Sequence, residues 1–255
     1  MKKFLFKAFI ALVLLNTIFS HISFSQDKTI ALLSFYCDKK IQGTGLGTAA
    51  EGLIKDTNFN LKPMLEKCYE RFTNDFAKDY PFKFLDKETI LNNTEFQNFD
   101  SRFLSTNDTG SIASALDNAD YTVIDGLKRA IGAAEDLVFI RQERRDPCIF
   151  LNMFSKSAID GVMLVKISYE FDSRLMGAAA GIKAEISIAL YNKNCDLVFR
   201  TGEYATSDGK VFRVAGIPVM KPEKIRPLCE DATEKLFNDL KDKLPKMLKK
   251  INAKL

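Results

Sequence analysis

Two short stretches limit what this chain can fold into. TIALLSF, Thr29 to Phe35, is almost unbroken apolar sequence of strand length, and Gly161 to Phe171, GVMLVKISYEF, begins the same way and ends in alternation. A strand that is apolar at consecutive positions needs cover on both faces, as in the middle of a parallel or mixed sheet. From Ile182 the pattern changes. Ile182, Ala184, Ile186, Ile188 and Leu190 fall on one side, with Lys183, Glu185 and Ser187 on the other. A period of two marks an antiparallel strand with one face toward the core. Asn192 to Asn194 is a turn signal, and Leu197 to Thr206 supplies the next strand. These segments predict a mixed sheet that closes in an antiparallel meander.

Helical spacing fills in the rest. Leu61, Leu65, Cys68, Phe72 and Phe76 recur at three- and four-residue intervals, with Pro63 placed for a first turn and Pro81 as a stop. Phe82 to Leu85 reads as a strand, and Asp86 as the cap of a brief helix through Leu91. Strand, helix, strand makes a βαβ unit, right-handed by the usual rule. Ile225, Leu228, Ala232, Leu236, Leu240, Leu244 and Leu248 predict a long closing helix from Pro222 to about Lys250. Its early acids and late lysines complement the helix dipole. Pro227 is a candidate true start, and Pro245 a kink or end. Tyr36 to Asn60 is expected to be irregular, as is Asn92 to Asn118 with some helix. Between Ala119 and Ile140, YTVID reads as extended and the remainder as mostly helix. The fold expected is a single α/β domain over 26–255, with α+β as the alternative and an irregular insertion near 92–159.

The chain opens with Lys2, Lys3 and Lys7, an apolar run from Ala8 to Phe19, and then small and polar residues. That order reads as a secretory signal peptide, residues 1–25, cleaved near Ser25–Gln26. The run is short of the about 20 apolar residues a spanning helix needs. With Cys37 the first cysteine, no lipoprotein cysteine stands at the cleavage point. The expectation is a periplasmic or exported protein.

Removing that segment takes away three lysines and leaves 34 basic against 33 acidic residues. So near-neutral a chain lacks the basic excess of a nucleic-acid binder. His21, the sole histidine, also lies in the segment. A histidine-free chain has no Ser-His-Asp triad, Cys-His pair or His-ligated zinc. No motif calls for a cofactor or metal, and no catalytic residue is expected. Cys37, Cys68, Cys148, Cys195 and Cys229 are odd in number and widely spaced, with no CxxC. One or two disulfides are compatible with export, the spacing leaves their pairing open, and burial as small apolar side chains is the simpler reading.

Three segments are candidate contacts. Gly43, Gly45 and Gly47 in GTGLGT follow the first strand but lack both the GK[ST] ending and the GxGxxG spacing of phosphate loops. They read as an interaction loop, as does the GAAAG tract from Gly177 to Gly181. Arg141, Arg144 and Arg145 are candidate anion contacts, offset by Glu143 and Asp146. The late lysines of the closing helix suggest a peripheral membrane contact.

The order KTIALLSF, helix, FKFLDKETIL, then DGVMLVKISYEF, then the hairpin KAEISIALYNKNCDLVFRTGEYATSDG and a long helix resembles a group of envelope domains. These are domains related to the curli-export channel protein, the lipoprotein activators of penicillin-binding proteins, and the amino-terminal domain of the Tol-system propeller protein. The likeness covers 29–91 and 160–250, including LDKE after the second strand, Asp160–Gly161 before the third, and the Asn-rich turn. It implies a mixed sheet with helices packed on it and a non-catalytic role in assembling, tethering or regulating envelope machinery through a protein partner. No functional residue carries over. Other readings are a carboxylate-dependent hydrolase of envelope polymer and a carrier of small apolar ligands.

Overall fold

The computed structural model describes residues 27–42, 59–99, 121–130, 146–172, 179–214, 217–218, 222–249, 251 and 254–255. Among them is a mixed sheet whose strands lie in the order β2-β1-β4-β6-β7, with β3 also paired to β1. The strands are β1 (Lys28–Gln42), β2 (Phe82–Phe84), β3 (Tyr121–Val123), β4 (Gly161–Phe171), β6 (Ile182–Asn192) and β7 (Leu197–Thr206). β1 is parallel to β2 and to β4, while β4, β6 and β7 form the antiparallel meander. β4 occupies one edge of β1 along most of its length, so β2 and then β3 follow each other along the opposite edge. The α/β class, the mixed sheet, the early parallel pair and the meander agree with the sequence reading.

β1 runs seven residues beyond the apolar stretch. Tyr36 to Gln42 were expected to be irregular because YCDKKIQ has no apolar run. They form strand because β4 lies alongside, and the Lys166 amine reaches Asp38 Oδ2 at 3.1 Å. β4 is tied to β1 just before its first residue. Asp160 N–H donates to the Thr29 carbonyl at 2.7 Å, and Thr29 N–H donates to Asp160 Oδ2 at 2.8 Å. Next to it, any Cβ on Gly161 would press on the Tyr191 carbonyl of the facing strand. The Asp-Gly pair therefore sets the register of β4 with a side-chain acceptor followed by a residue that has no side chain.

Helix α1 (Lys62–Glu70) has Pro63 in its first turn, and its chain continues as a π turn, Arg71–Asp75, and a 3₁₀ turn, Ala77–Asp79. The wider turn keeps Leu65, Cys68, Phe72 and Phe76 all buried. Asp86 caps α2 (Lys87–Asn92) by accepting from Glu88 N–H, as expected. Asn93 caps α3 (Thr94–Gln97) the same way through Phe96 N–H. Helix α4 (Asp146–Met153) lies in the segment expected to be irregular. Leu127 to Ala130, expected to be helix, is irregular instead, with Lys128 N–H donating to the Leu33 carbonyl at 3.1 Å.

Helix α5 spans Pro222–Lys249 and passes through both internal prolines. It starts before Pro227 and continues beyond Pro245. Each proline removes one i→i−4 bond. The carbonyls left over belong to Glu223 and Lys241, both exposed positions where water is at hand. The buried row from Ile225 to Leu248 holds the helix against the sheet.

A single β4 side chain shows where the helices lie. The Tyr169 hydroxyl is 2.9 Å from Thr233 Oγ1 of α5 and 3.3 Å from the Met64 sulfur of α1. Both helices therefore cover the face of the sheet to which Tyr169 points. Phe35 meets Tyr69 and Phe72 edge-on at 5.5 and 5.7 Å, and Phe76 meets Phe237 at 6.0 Å. Across the outer seam, Glu234 takes Lys67 at 3.0 Å and Arg71 at 2.9 Å. A second group, Phe96, Phe99, Phe150 and Phe154, joins α3 to α4 with centroids 5.1 to 5.4 Å apart. A small separate sheet, in the order β5-β8-β9, contains β5 (Ala179–Ala180), β8 (Val211–Val214) and β9 (Ile217–Pro218).

Candidate interaction surface

Alternation along the strands puts Lys166, Ser168 and Glu170 on the face opposite Tyr169. Tyr169 stands across from Ala184, and Ala184 from Ala205, so Lys183, Glu185 and Tyr204 share that second face. Here the strands carry a row of paired charges. Lys166 and Asp38 form the inner pair, with side chains only 11% and 16% exposed. Lys183 sits farther out, 2.6 Å from Glu170 and 3.9 Å from Glu185, with its amine 4.5 Å from the centre of the Tyr204 ring. The hydrogen bond to Glu170 is the main reason the Lys183 amine is held above its ordinary range. Cross-strand pairs of this kind fix register and keep an open sheet face wet. Glu170 and Glu185 meet at a lysine that stays charged. The sequence signal for this row was the alternation of Lys183, Glu185 and Ser187, and the partner strand supplied the rest.

The row ends at β7, which is the last strand of the sheet among the described residues. Its ten residues, LVFRTGEYAT, contain no proline and no lysine; its two charges are Arg200 and Glu203, and Glu203 is taken up by Lys243 of α5 at 3.2 Å. Leu197 is 47% exposed and Tyr204 52%. Natural edge strands are usually blunted by lysine, proline or a bulge, because a bare edge invites another strand. The one irregularity is at the start of the pairing, where Val198 is an extra residue on β7 between Leu197, opposite Tyr191, and Phe199, opposite Leu190; beyond it the edge from Phe199 to Thr206 runs without a bulge.

Beneath the other face lie the thiols. Cys37, Cys68 and Cys229 are free and buried, which fits the reading of cysteine as a small apolar side chain. Burial pushes the Cys68 thiol up to about 12 and those of Cys37 and Cys229 well above their usual range. They stay neutral and unreactive near pH 7. Cys148 and Cys195 form a disulfide with Cα atoms 5.3 Å apart, linking α4 to the β6–β7 turn. Among the described residues no group of three or more His, Cys, Asp or Glu side chains is arranged to hold a metal ion. No described helix is long and apolar enough to cross a membrane.

Of the contacts expected from sequence, Gly43, Gly45, Gly47, Gly177, Arg141, Arg144 and Arg145 lie outside the described residues. So does the amino-terminal segment 1–25. Gly181 is buried at the foot of β6, where its carbonyl accepts from Asp172 N–H at 2.9 Å. A Cβ there would stand 2.7 Å from the Thr206 methyl. The structure thus places Gly181 in a close-packed position beside β7.

No protein-family model matches the chain, and no curated protein matches it.

Proposed function

We propose that this is an exported, non-catalytic envelope protein that binds another envelope protein, and that the β7 edge is its contact. The observation that carries the reading is the edge itself: ten residues without proline or lysine, bearing exposed Leu197 and Tyr204. Strand addition at such an edge draws affinity from main-chain hydrogen bonds and specificity from alternate side chains. Export is supported by the Cys148–Cys195 disulfide, since such bonds persist in oxidising compartments. The likeness of the strand and helix order to envelope-assembly domains supports the same role.

Crosslinking in the native cell envelope, followed by recovery of the chain and identification of what is attached, tests this. The expected result is one dominant envelope protein, recovered at roughly a tenth of that level or less with Leu197→Asp/Tyr204→Asp, because two buried charges oppose docking. Melting of that variant should stay close to wild type, since both positions are about half exposed. Recovery of the chain alone, or undiminished recovery by the variant, would refute the reading.

A further inference from the structure

The small β5-β8-β9 sheet is unlike the rest of the surface. In it β8 and β9 pair antiparallel, with Val214 opposite Ile217. Residues 211–220, VFRVAGIPVM, include one charged side chain, and the tract 175–181, LMGAAAG, which supplies β5, has none. A sheet so apolar has two faces, and the body of the protein takes one. Val211 and Ala180 are buried, and Gly209 just before β8 lies against Leu228 of α5. Phe212 points away, 62% exposed, the most exposed large apolar side chain among the described residues. Its strand partner is Ala179, too small to shelter it.

The same stretch of sequence is basic. Residues 210–224 hold Lys210, Arg213, Lys221 and Lys224 against Glu223 alone, a net +3, where residues 26–255 as a whole carry 34 basic against 33 acidic side chains. Lys210 and Lys224 are exposed. An exposed aromatic ring opposite Ala179 and two residues from exposed Lys210 matches a lipid headgroup region. The ring enters the acyl boundary while the amines stay at the phosphates. A protein partner would need a recess shaped for the ring, whereas a bilayer supplies apolar depth and negative charge without one.

We propose that the β5-β8-β9 sheet is a peripheral contact for an anionic phospholipid surface, with Phe212 as the inserting side chain and Lys210 and Lys224 as phosphate partners. This site is separate from the β7 edge, and neither proposal depends on the other.

Co-sedimentation of the full chain with phosphatidylglycerol–phosphatidylcholine vesicles, and with phosphatidylcholine vesicles alone, tests it. Partition onto the anionic vesicles should exceed that onto the neutral ones by roughly tenfold and weaken with salt. Phe212→Glu should cut it by about tenfold with the melting curve unchanged. Lys210→Glu/Lys224→Glu, two exposed positions remote from the core, should do the same and serves if Phe212→Glu misfolds. Failure of the wild type to sediment with anionic vesicles, equal sedimentation with both kinds, or sedimentation of either folded variant at the wild-type level would each overturn the proposal. The last outcome would place any lipid contact elsewhere, for instance at the late lysines of α5.

Discussion

Tyr169 is the buried polar link between the sheet and both helices that cover it. Its hydroxyl lies against Thr233 and Met64, and Thr233 Oγ1 donates on to the Cys229 carbonyl at 2.7 Å. Cys229 is one helical turn from Thr233, Cys68 one turn from Met64, and Cys37 of β1 adds a third thiol around the phenol. Burial is the leading cause that raises Tyr169, Tyr80, Cys37, Cys68 and Cys229 above their ordinary ranges. A group with a raised folded pKa holds its proton in the folded state after the unfolded chain has lost it. Its contribution to stability is complete below the unfolded pKa and falls as pH rises toward the folded one. For the thiols the loss starts near the ordinary value of 9.0 and continues, for Cys68, to about 12. Urea midpoints should therefore hold level up to about pH 8 and fall steeply above it, each thiol removing up to about 1.4 kcal/mol per pH unit. Equal midpoints at pH 8 and pH 10.5 would show that water reaches the thiols in the folded protein.

Cys195 closes the β6–β7 turn with a φ of 66°, the only positive value for a described residue other than glycine. Asn192 holds the turn: its Oδ1 accepts from Asn194 N–H at 3.0 Å and Asp196 N–H at 2.9 Å. A β-carbon in that region costs about 1–2 kcal/mol, and here the disulfide to Cys148 keeps it in place. The bond spans 47 residues, for which the chain-entropy relation gives about 4 kcal/mol. Cys148→Ser/Cys195→Ser should thus lose about 4 kcal/mol in urea unfolding. Cys148→Ser/Cys195→Gly should lose less, by about 1 kcal/mol, because glycine accepts the left-handed backbone. If the two variants unfold together, the turn is not strained.

What the sequence disclosed at this scale follows from how far each signal reaches. β4, β6, β7 and α5 were legible because a periodic face is a local property of the residues that form it. Tyr36 to Gln42 were not, since their strand exists through β4, more than a hundred residues away. DPCIFLNM was too short to show a helical face, so α4 went unseen. The disulfide followed from no spacing, because its partners meet only once α4 and the turn are in place. Half of the polar row was visible in Lys183 and Glu185, but Lys166, Asp38 and Tyr204 joined it through strand order alone. The β7 edge was hidden for the same reason: alternation identifies a strand, whereas being last in the sheet is a property of the assembled whole.

That interdependence extends to the whole molecule. β1, the first strand, lies inside the sheet, with early partners β2 and β3 on one side and the late strand β4 on the other. α1 and α5, more than 150 residues apart, share the covering of one face through Tyr169 and are joined outside by the Glu234 pairs with Lys67 and Arg71. One continuous core runs from Ile30 to Ile251. Neither half of the chain could bury its share alone: without β4 and α5, β1 would expose an edge and an apolar face, and without β1 the meander would end in the bare edge of β4. The two halves should therefore unfold together. Urea unfolding followed by far-ultraviolet dichroism should coincide with unfolding followed by a fluorophore on exposed Lys83→Cys in β2 and by another on exposed Lys241→Cys in α5. Superimposable curves would mean that a partner at β7 or a lipid at Phe212 stabilises every element at once, in proportion to its affinity. A β2 probe that melts ahead of the α5 probe would divide the molecule at β1–β4, and binding at β7 would then leave the early strands unprotected.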